Sequence, residues 1–198
     1  MVRRRKMVRS FQRRPIPPET VDRILKNARR APSAGFSQGW AFLTLEGDET
    51  ARFWEHVADP DWHGDPNWPH LMDAPLIVVP LANKRAYLDR YAEPDKIAAD
   101  LTTAEKWAAP YWDIDVGMAA LLMLLTAVDA GLGALFFGIY RNVAALLDEL
   151  GVPGDYKPIG ALAIGYAAEN DRPSPSLARG WRPDAEVIHR GRWRGGPH

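Results

Sequence analysis

The chain contains no cysteine among its 198 residues. Disulfides, thiolate metal sites and cysteine nucleophiles are therefore excluded, and a reducing cytoplasm is the default compartment. Net charge is also missing: 25 Lys and Arg balance 25 Asp and Glu, so the molecule as a whole is not built to hold nucleic acid. There is no Walker A loop and no G-x-G-x-x-G after a strand. The basic start "MVRRRKMVRS" is not followed by an apolar stretch of the signal-peptide kind. Only residues 116–140, "VGMAALLMLLTAVDAGLGALFFGIY", imitate a membrane span. Asp129 near the middle is costly in lipid, and Gly131 and Gly133 follow at once, so the segment reads as a core helix, a stop and a strand.

What is present favours a packed core: 46% of residues are hydrophobic and 25% charged. One domain over residues 1–198 is expected, with 168–198 as a C-terminal extension too apolar, at Trp181, Val187, Ile188 and Trp193, for a free linker. Val21, Ile24, Leu25 and Ala28 recur at helical spacing after Pro17 and Pro18, and Pro32 lies beyond the end. Residues 40–46 read as a strand. A short helix follows with Asp48 as its N-cap, and residues 74–82 read as a buried strand. Helical pieces broken by Pro94 and Pro110 lead into the long core helix, capped by Asp113 or Asp115 and ended by Gly131. "GALFFGI" is a third strand, "NVAALLDELG" a helix, and "KPIGALAIGYA" a fourth, continuous strand. The loose alternation predicts an α+β domain around a buried sheet.

The turn inside "ARRAPSAGFSQGW", residues 28–40, has more small and hydrogen-bonding side chains than a plain turn needs. Such a turn suits close approach to something flat or charged. His63, Asp65 and His70 lack helical ligand spacing, and polar surface is the expected reading rather than a metal site. Arg5 and Arg9 share one helix face if that segment is helical. Arg179 and Arg182 lie near the other end of the chain. The two pairs either converge on a phosphate or are all solvated.

Four stretches in order carry a resemblance: "RKMVRSF" (5–11), "PSAGFSQGW" (32–40), the apolar helix running into Gly131 to Gly138, and "RPDAEVIH" (182–189). Over nearly the whole chain the sequence resembles the FMN-dependent nitroreductase family. That resemblance implies a mostly antiparallel central sheet flanked by helices, a homodimer with FMN at the interface, and an extension wrapping the partner. It implies that Arg5, Lys6, Arg9, Arg179 and Arg182 hold the phosphate and adjoining polar edge. Ser33, Gln38 and Asn67 then contact the flavin, and Phe137 and Gly138 turn backbone N–H groups toward N5. The aromatic residues Phe36, Trp107, Tyr111 and Trp112 are read as a stacking lid, with ordinary core or interface packing as the alternative. The last stretch is read as a strand.

Three positions depart from the family pattern: Met7 stands for serine, Phe36 for asparagine and Gly39 for proline. The activity implied is ping-pong electron transfer from NAD(P)H through FMN to a nitroaromatic, quinone or related flat acceptor. The alternative is a non-enzymatic FMN-binding or storage protein. Neither nucleic acid nor a membrane is an expected partner.

Overall fold

In the computed structural model, which describes residues 1–58 and 67–193, strands β1 (Trp40–Glu46) and β2 (Leu76–Asn83) pair antiparallel from Trp40–Ala82 to Glu46–Leu76. With β3 (Gly133–Phe137), β4 (Tyr156–Pro158) and β5 (Ala161–Gly165) they form one sheet. Its order is β1-β2-β5-β3, and β4 pairs with the end of β2. Every one of these strand pairs is antiparallel.

Strand β2 is buried along its whole length, so both faces of the sheet need cover. Alternation along the strand decides which residue faces which layer. Leu76 and Val78, with Leu162 and Ile164 of β5, pack on α1 (Pro18–Ala28) and α4 (Tyr111–Asp129) through Ile24, Ala28, Ala120, Met123 and Ala127. Ile77, Val79 and Leu81 pack on the other side against α2 (Thr50–Val57) and α5 (Val143–Glu149) through Phe53, Trp54 and Leu146.

A third cluster closes the end of the sheet where β2 leaves it. Helix α3 (Lys84–Tyr91) buries Tyr87 against Ala82, Trp107, Trp112 and Val116. The Tyr87 hydroxyl donates to Asp115 Oδ2 at 2.9 Å. Burial, and after it the bond to the acidic Asp115, push the Tyr87 phenol far above the ordinary tyrosine value.

Four local expectations need correction. Asp48 caps nothing: it lies inside a 3-10 turn, Gly47–Glu49, where the Glu49 side chain accepts from the Glu46 N–H. Neither Asp113 nor Asp115 caps α4, whose N-cap position is Pro110. Asp115 is instead 2% exposed within the helix. The expected fourth strand is two, because the chain breaks at Gly160, whose φ is +145°. Residues 184–187 form a short helix, α6 (Asp184–Val187), not a strand. The extension there is exposed and reaches no sheet edge that would supply ladder partners.

By length and composition α4 is apolar enough to cross a membrane, but one face is built into the core. Its opposite face exposes Ile114, Met118 and Leu121. Helix α4 stops as expected, with Gly131 left-handed at φ +74°.

A Cβ at Gly160 would lie 2.6 Å from the Phe137 carbonyl oxygen. Gly160→Ala is therefore expected to lower the unfolding free energy by about 1–3 kcal/mol in urea denaturation. Tyr87→Phe is expected to cost about 1–3 kcal/mol at neutral pH. The unfolded chain loses the Tyr87 proton near pH 10, whereas the folded chain keeps it, so this stabilisation is present below about pH 10 and falls as pH rises. The difference between wild-type and Tyr87→Phe stability should therefore shrink above pH 10.

Candidate functional site

The N-terminal segment is a strap, not a helix. After a 3-10 turn at Val2–Arg4, Met7 bridges Ala134 of β3, and Phe11 bridges Ala167 beyond β5. Val8 donates to the Ala134 carbonyl at 3.0 Å and Phe11 to that of His70 at 3.0 Å. Val8 and Phe11 are buried and anchor the strap. Arg5 and Arg9 are therefore gathered by an extended strap rather than by helical spacing.

Around them lies a basic corner. The Asp171 carboxylate accepts from the backbone N–H groups of Arg9 and Ser10, at 2.9 and 3.1 Å, and pairs with Lys6 Nζ at 3.4 Å. The Arg9 guanidinium lies 5.1 Å from the Trp68 ring centroid, and Trp68 donates to the Arg172 carbonyl. Asn67 precedes Trp68 in the chain and is exposed. Arg5 Nη1 and Ser10 Oγ are buried with no hydrogen-bond partner among the described residues. A buried guanidinium N–H without an acceptor is costly. A hydroxyl in the same state lies on the same basic segment.

The turn of residues 33–38 forms a second group at the opposite end of the sheet, where it feeds β1. Gly35, Phe36 and Gln38 have φ of +61°, +55° and +49°. For the two non-glycine residues this costs about 1–2 kcal/mol each. Internal bonds hold the turn: Phe36 N–H to Ser33 O, Ser37 N–H to Ala34 O, and Gln38 N–H to Ser33 Oγ. External bonds hold it from two helices. Asp115 Oδ2 accepts from the Ala34 N–H at 2.8 Å, and Arg90 Nε donates to the Gly35 carbonyl at 3.0 Å. The Tyr91 ring lies so close that a Cβ at Gly35 would meet it at 2.7 Å.

Arg90 is itself gripped by both Asp95 oxygens at 2.7 Å. The bond between the pair, foremost among the causes, raises the Arg90 pKa and lowers that of Asp95. The result is a turn that presents Phe36 with 74% of its surface exposed.

Beneath the turn, the four expected lid residues divide. Trp107 and Trp112 are buried in an aromatic cluster with Tyr87 and Tyr91. Tyr111 borders Trp107 and is 41% exposed. Phe36 and Tyr111 offer surface, and the two tryptophans support it from below.

Phe137 and Gly138 end β3. The Phe137 ring is stacked on Trp54 at 5.7 Å. A Cβ at Gly138 would meet the Tyr140 ring at 2.4 Å, a contact that the 91% exposed Tyr140 side chain could relieve by turning away. Arg179 and Arg182 lie on the extension, in the 3-10 turn Pro175–Arg179 and just beyond it. Arg182 pairs with Glu186. Among the described residues neither one bonds to Arg5 or Arg9. One chain thus carries Arg5, Lys6 and Arg9 on the strap, and separately Ser33, Phe36, Gln38 and Tyr111 about the turn. The extension arginines join neither set.

His63 and Asp65 lie outside the described residues, and His70 Nδ1 pairs with Asp73 at 2.9 Å. Among the described residues no three His, Asp or Glu side chains gather as a metal site. Sequence reasoning missed Ser10, Arg90, Trp68 and Asp171. Ser10 lay inside a motif already singled out, whereas the others act through contacts distant in the chain. Asp115 was noticed, but for its place near a helix start.

The chain matches the Nitroreductase family over residues 2–166. A protein of Methanothermobacter thermautotrophicus, provisionally named NADH dehydrogenase/NAD(P)H nitroreductase, is 27% identical across 97% of this chain and 85% of its own. An NADPH-dependent oxidoreductase of Staphylococcus epidermidis is 24% identical across 96% of this chain and 72% of its own. Among solved structures, an oxidoreductase containing FMN superposes with a TM-score of 0.72 at 22% identity, covering 98% of this chain and 91% of the other. The strap, the strained turn and the glycine-marked strand end stand on this shared architecture, and the chain belongs to the nitroreductase family.

Proposed function

We propose that the protein is an FMN-dependent oxidoreductase that passes electrons from NAD(P)H to a flat acceptor, a nitroaromatic or quinone, by a ping-pong mechanism. The observation that carries this reading is the presence on the strap of two buried, unpartnered donors, Arg5 Nη1 and Ser10 Oγ. These are donors in search of an oxyanion such as the FMN phosphate. Bound FMN would supply the hydride and electron chemistry. Arg5, Lys6 and Arg9 hold the phosphate end, with Arg179 and Arg182 brought in by the extension. Ser33, Gln38 and Asn67 meet the polar edges of the flavin. The backbone N–H groups of Phe137 and Gly138 stand toward N5, where such donors favour negative charge. Phe36 and Tyr111 form the stacking wall that nicotinamide and acceptor use in turn, with Trp107 and Trp112 behind it.

The site is completed by a second copy of the chain. The start of α4 touches the turn through Asp115 and Ala34, and beyond its end Gly133 packs on Val8 of the strap. The helix has 19 residues, so the two groups are separated by roughly 28 Å. Ile114, Met118 and Leu121 form an exposed apolar stripe along it, with Leu125 and Val128 half-buried on the same side. Antiparallel packing of two α4 helices about a two-fold axis brings one chain's turn to its partner's basic corner. The exposed Leu177, Trp181 and Ile188 of the extension then have a partner surface to cover.

The purified protein is expected to bind FMN, and anaerobic NADH or NADPH is expected to bleach the visible spectrum. Sustained NAD(P)H oxidation with a quinone excludes the storage alternative, and a flavin that stays oxidised excludes the enzyme. Arg5→Ala and Arg9→Ala should each weaken FMN binding by about 10- to 100-fold in fluorescence titration. Leu121→Glu is expected to yield monomers by light scattering, with FMN binding lost at the same time. Monomers that retain FMN would contradict the shared site.

A further inference from the structure

We propose that Arg90 and Asp115 are positioning residues that together clamp the 33–38 turn in its left-handed form and so fix where Phe36 and Gln38 stand. Neither residue is assigned a contact with the cofactor. They grip two peptide units of the turn: Asp115 accepts from the Ala34 N–H, in the Ser33–Ala34 peptide, and Arg90 donates to the Gly35 carbonyl, in the Gly35–Phe36 peptide. One grip comes from α4 and the other from α3.

Two arguments assign a purpose to this arrangement beyond ordinary packing. First, Phe36 and Gln38 hold backbone conformations that an isolated chain avoids, and such strain persists only where surroundings over-determine it. The internal bonds of the turn hold its ends together. The two helical grips, the Tyr91 ring and the packing of Ala34 on the Tyr87, Trp107 and Trp112 cluster tie it to the body. Second, what the clamp presents is not core. Phe36 is 74% exposed and Gln38 is exposed as well. A fold spends nothing on pinning an exposed phenylalanine unless the position of that ring matters.

The two grips differ in kind. Asp115 is buried and shared with the Tyr87 hydroxyl, so it belongs to the core and moves little. Arg90 is held by Asp95 and by Glu93 at 3.1 Å, on the short segment after α3. The outer half of the clamp therefore hangs on an ion-paired surface segment. That makes Arg90 the adjustable half, and a change in the 92–96 segment reaches the turn through one guanidinium.

That the turn faces the flavin rests on the function proposed above; that the clamp holds the turn does not. Hydrogen exchange of the turn amides tests the clamp without cofactor. In Arg90→Met, exchange at Ala34, Phe36, Ser37 and Gln38 should speed up by about five- to tenfold while the urea midpoint stays near wild type. Asp115→Ala should speed up the same amides and also lower the urea midpoint, because the Tyr87 hydroxyl loses its acceptor. Asp115→Asn, which keeps an oxygen acceptor, should restore protection. Tyr87→Phe removes the other donor to the same carboxylate and should leave the turn amides protected.

In the FMN-loaded protein, Arg90→Met should weaken FMN binding by about fivefold and raise the KM for a quinone more than it lowers kcat. Unchanged turn exchange in Arg90→Met overturns the clamp. A loosened turn with unchanged FMN affinity and unchanged KM overturns the positioning role. A wild-type chain that binds no FMN overturns the enzymatic reading and the positioning role with it, while exchange still decides the clamp.

Discussion

The carboxylate of Asp115 is buried, and a buried carboxylate must be given donors or be expelled from the core. Its two donors come from different parts of the chain: the Tyr87 hydroxyl on α3 and the Ala34 N–H in the turn before β1. Satisfying one side chain therefore fixes the relative placement of α3, α4 and the turn. The aromatic cluster of Tyr87, Tyr91, Trp107 and Trp112 fills the space around that contact. The exposed face of the turn is what remains after the buried demands are met.

Helix α4 carries the second constraint. It has to cover one face of a sheet whose central strand is buried throughout, and it does so with Val116, Ala119, Ala120, Met123 and Ala127. Its remaining surface is nevertheless apolar. In water such a stripe is normally covered, and large exposed apolar patches mark interaction sites. The same helix separates the strained turn from the basic corner. One element thus sets the core, the distance between the two halves of the site, and the surface through which a second copy would join them.

The corner leaves polar groups without partners among the described residues. Asp171 neutralises Lys6 and takes the Arg9 and Ser10 amides, yet Arg5 Nη1 and Ser10 Oγ are left over. Natural cores rarely leave such groups unpaired unless something else pairs them. The Met7 departure removes one hydroxyl from the strap, but Ser10 places another there. The departure at Phe36 puts an exposed ring where the family pattern has an amide.

Much of this was legible from residue order. Apolar spacing marked α1 and α4, the run 40–46 marked β1, and Gly131 marked the end of α4, because these signals depend on neighbours a few residues away. The ordered motifs also pointed to the family. Other features answered to distant partners. Asp115 looked like a helix cap until Tyr87 and Ala34 met it. Trp107 and Trp112 looked available until three helical segments closed over them. The run 157–167 looked like one strand until Gly160 broke against Phe137. Arg5 and Arg9 looked helical until the strap was pinned to Ala134 and Ala167. The sequence by itself determined the layers and the supply of basic, aromatic and glycine residues, because hydrophobic period and backbone allowance are local properties. Only the tertiary structure decided which of those residues are buried, which are paired and which are left facing outward, because burial and hydrogen-bond satisfaction are settled by partners far away in the chain.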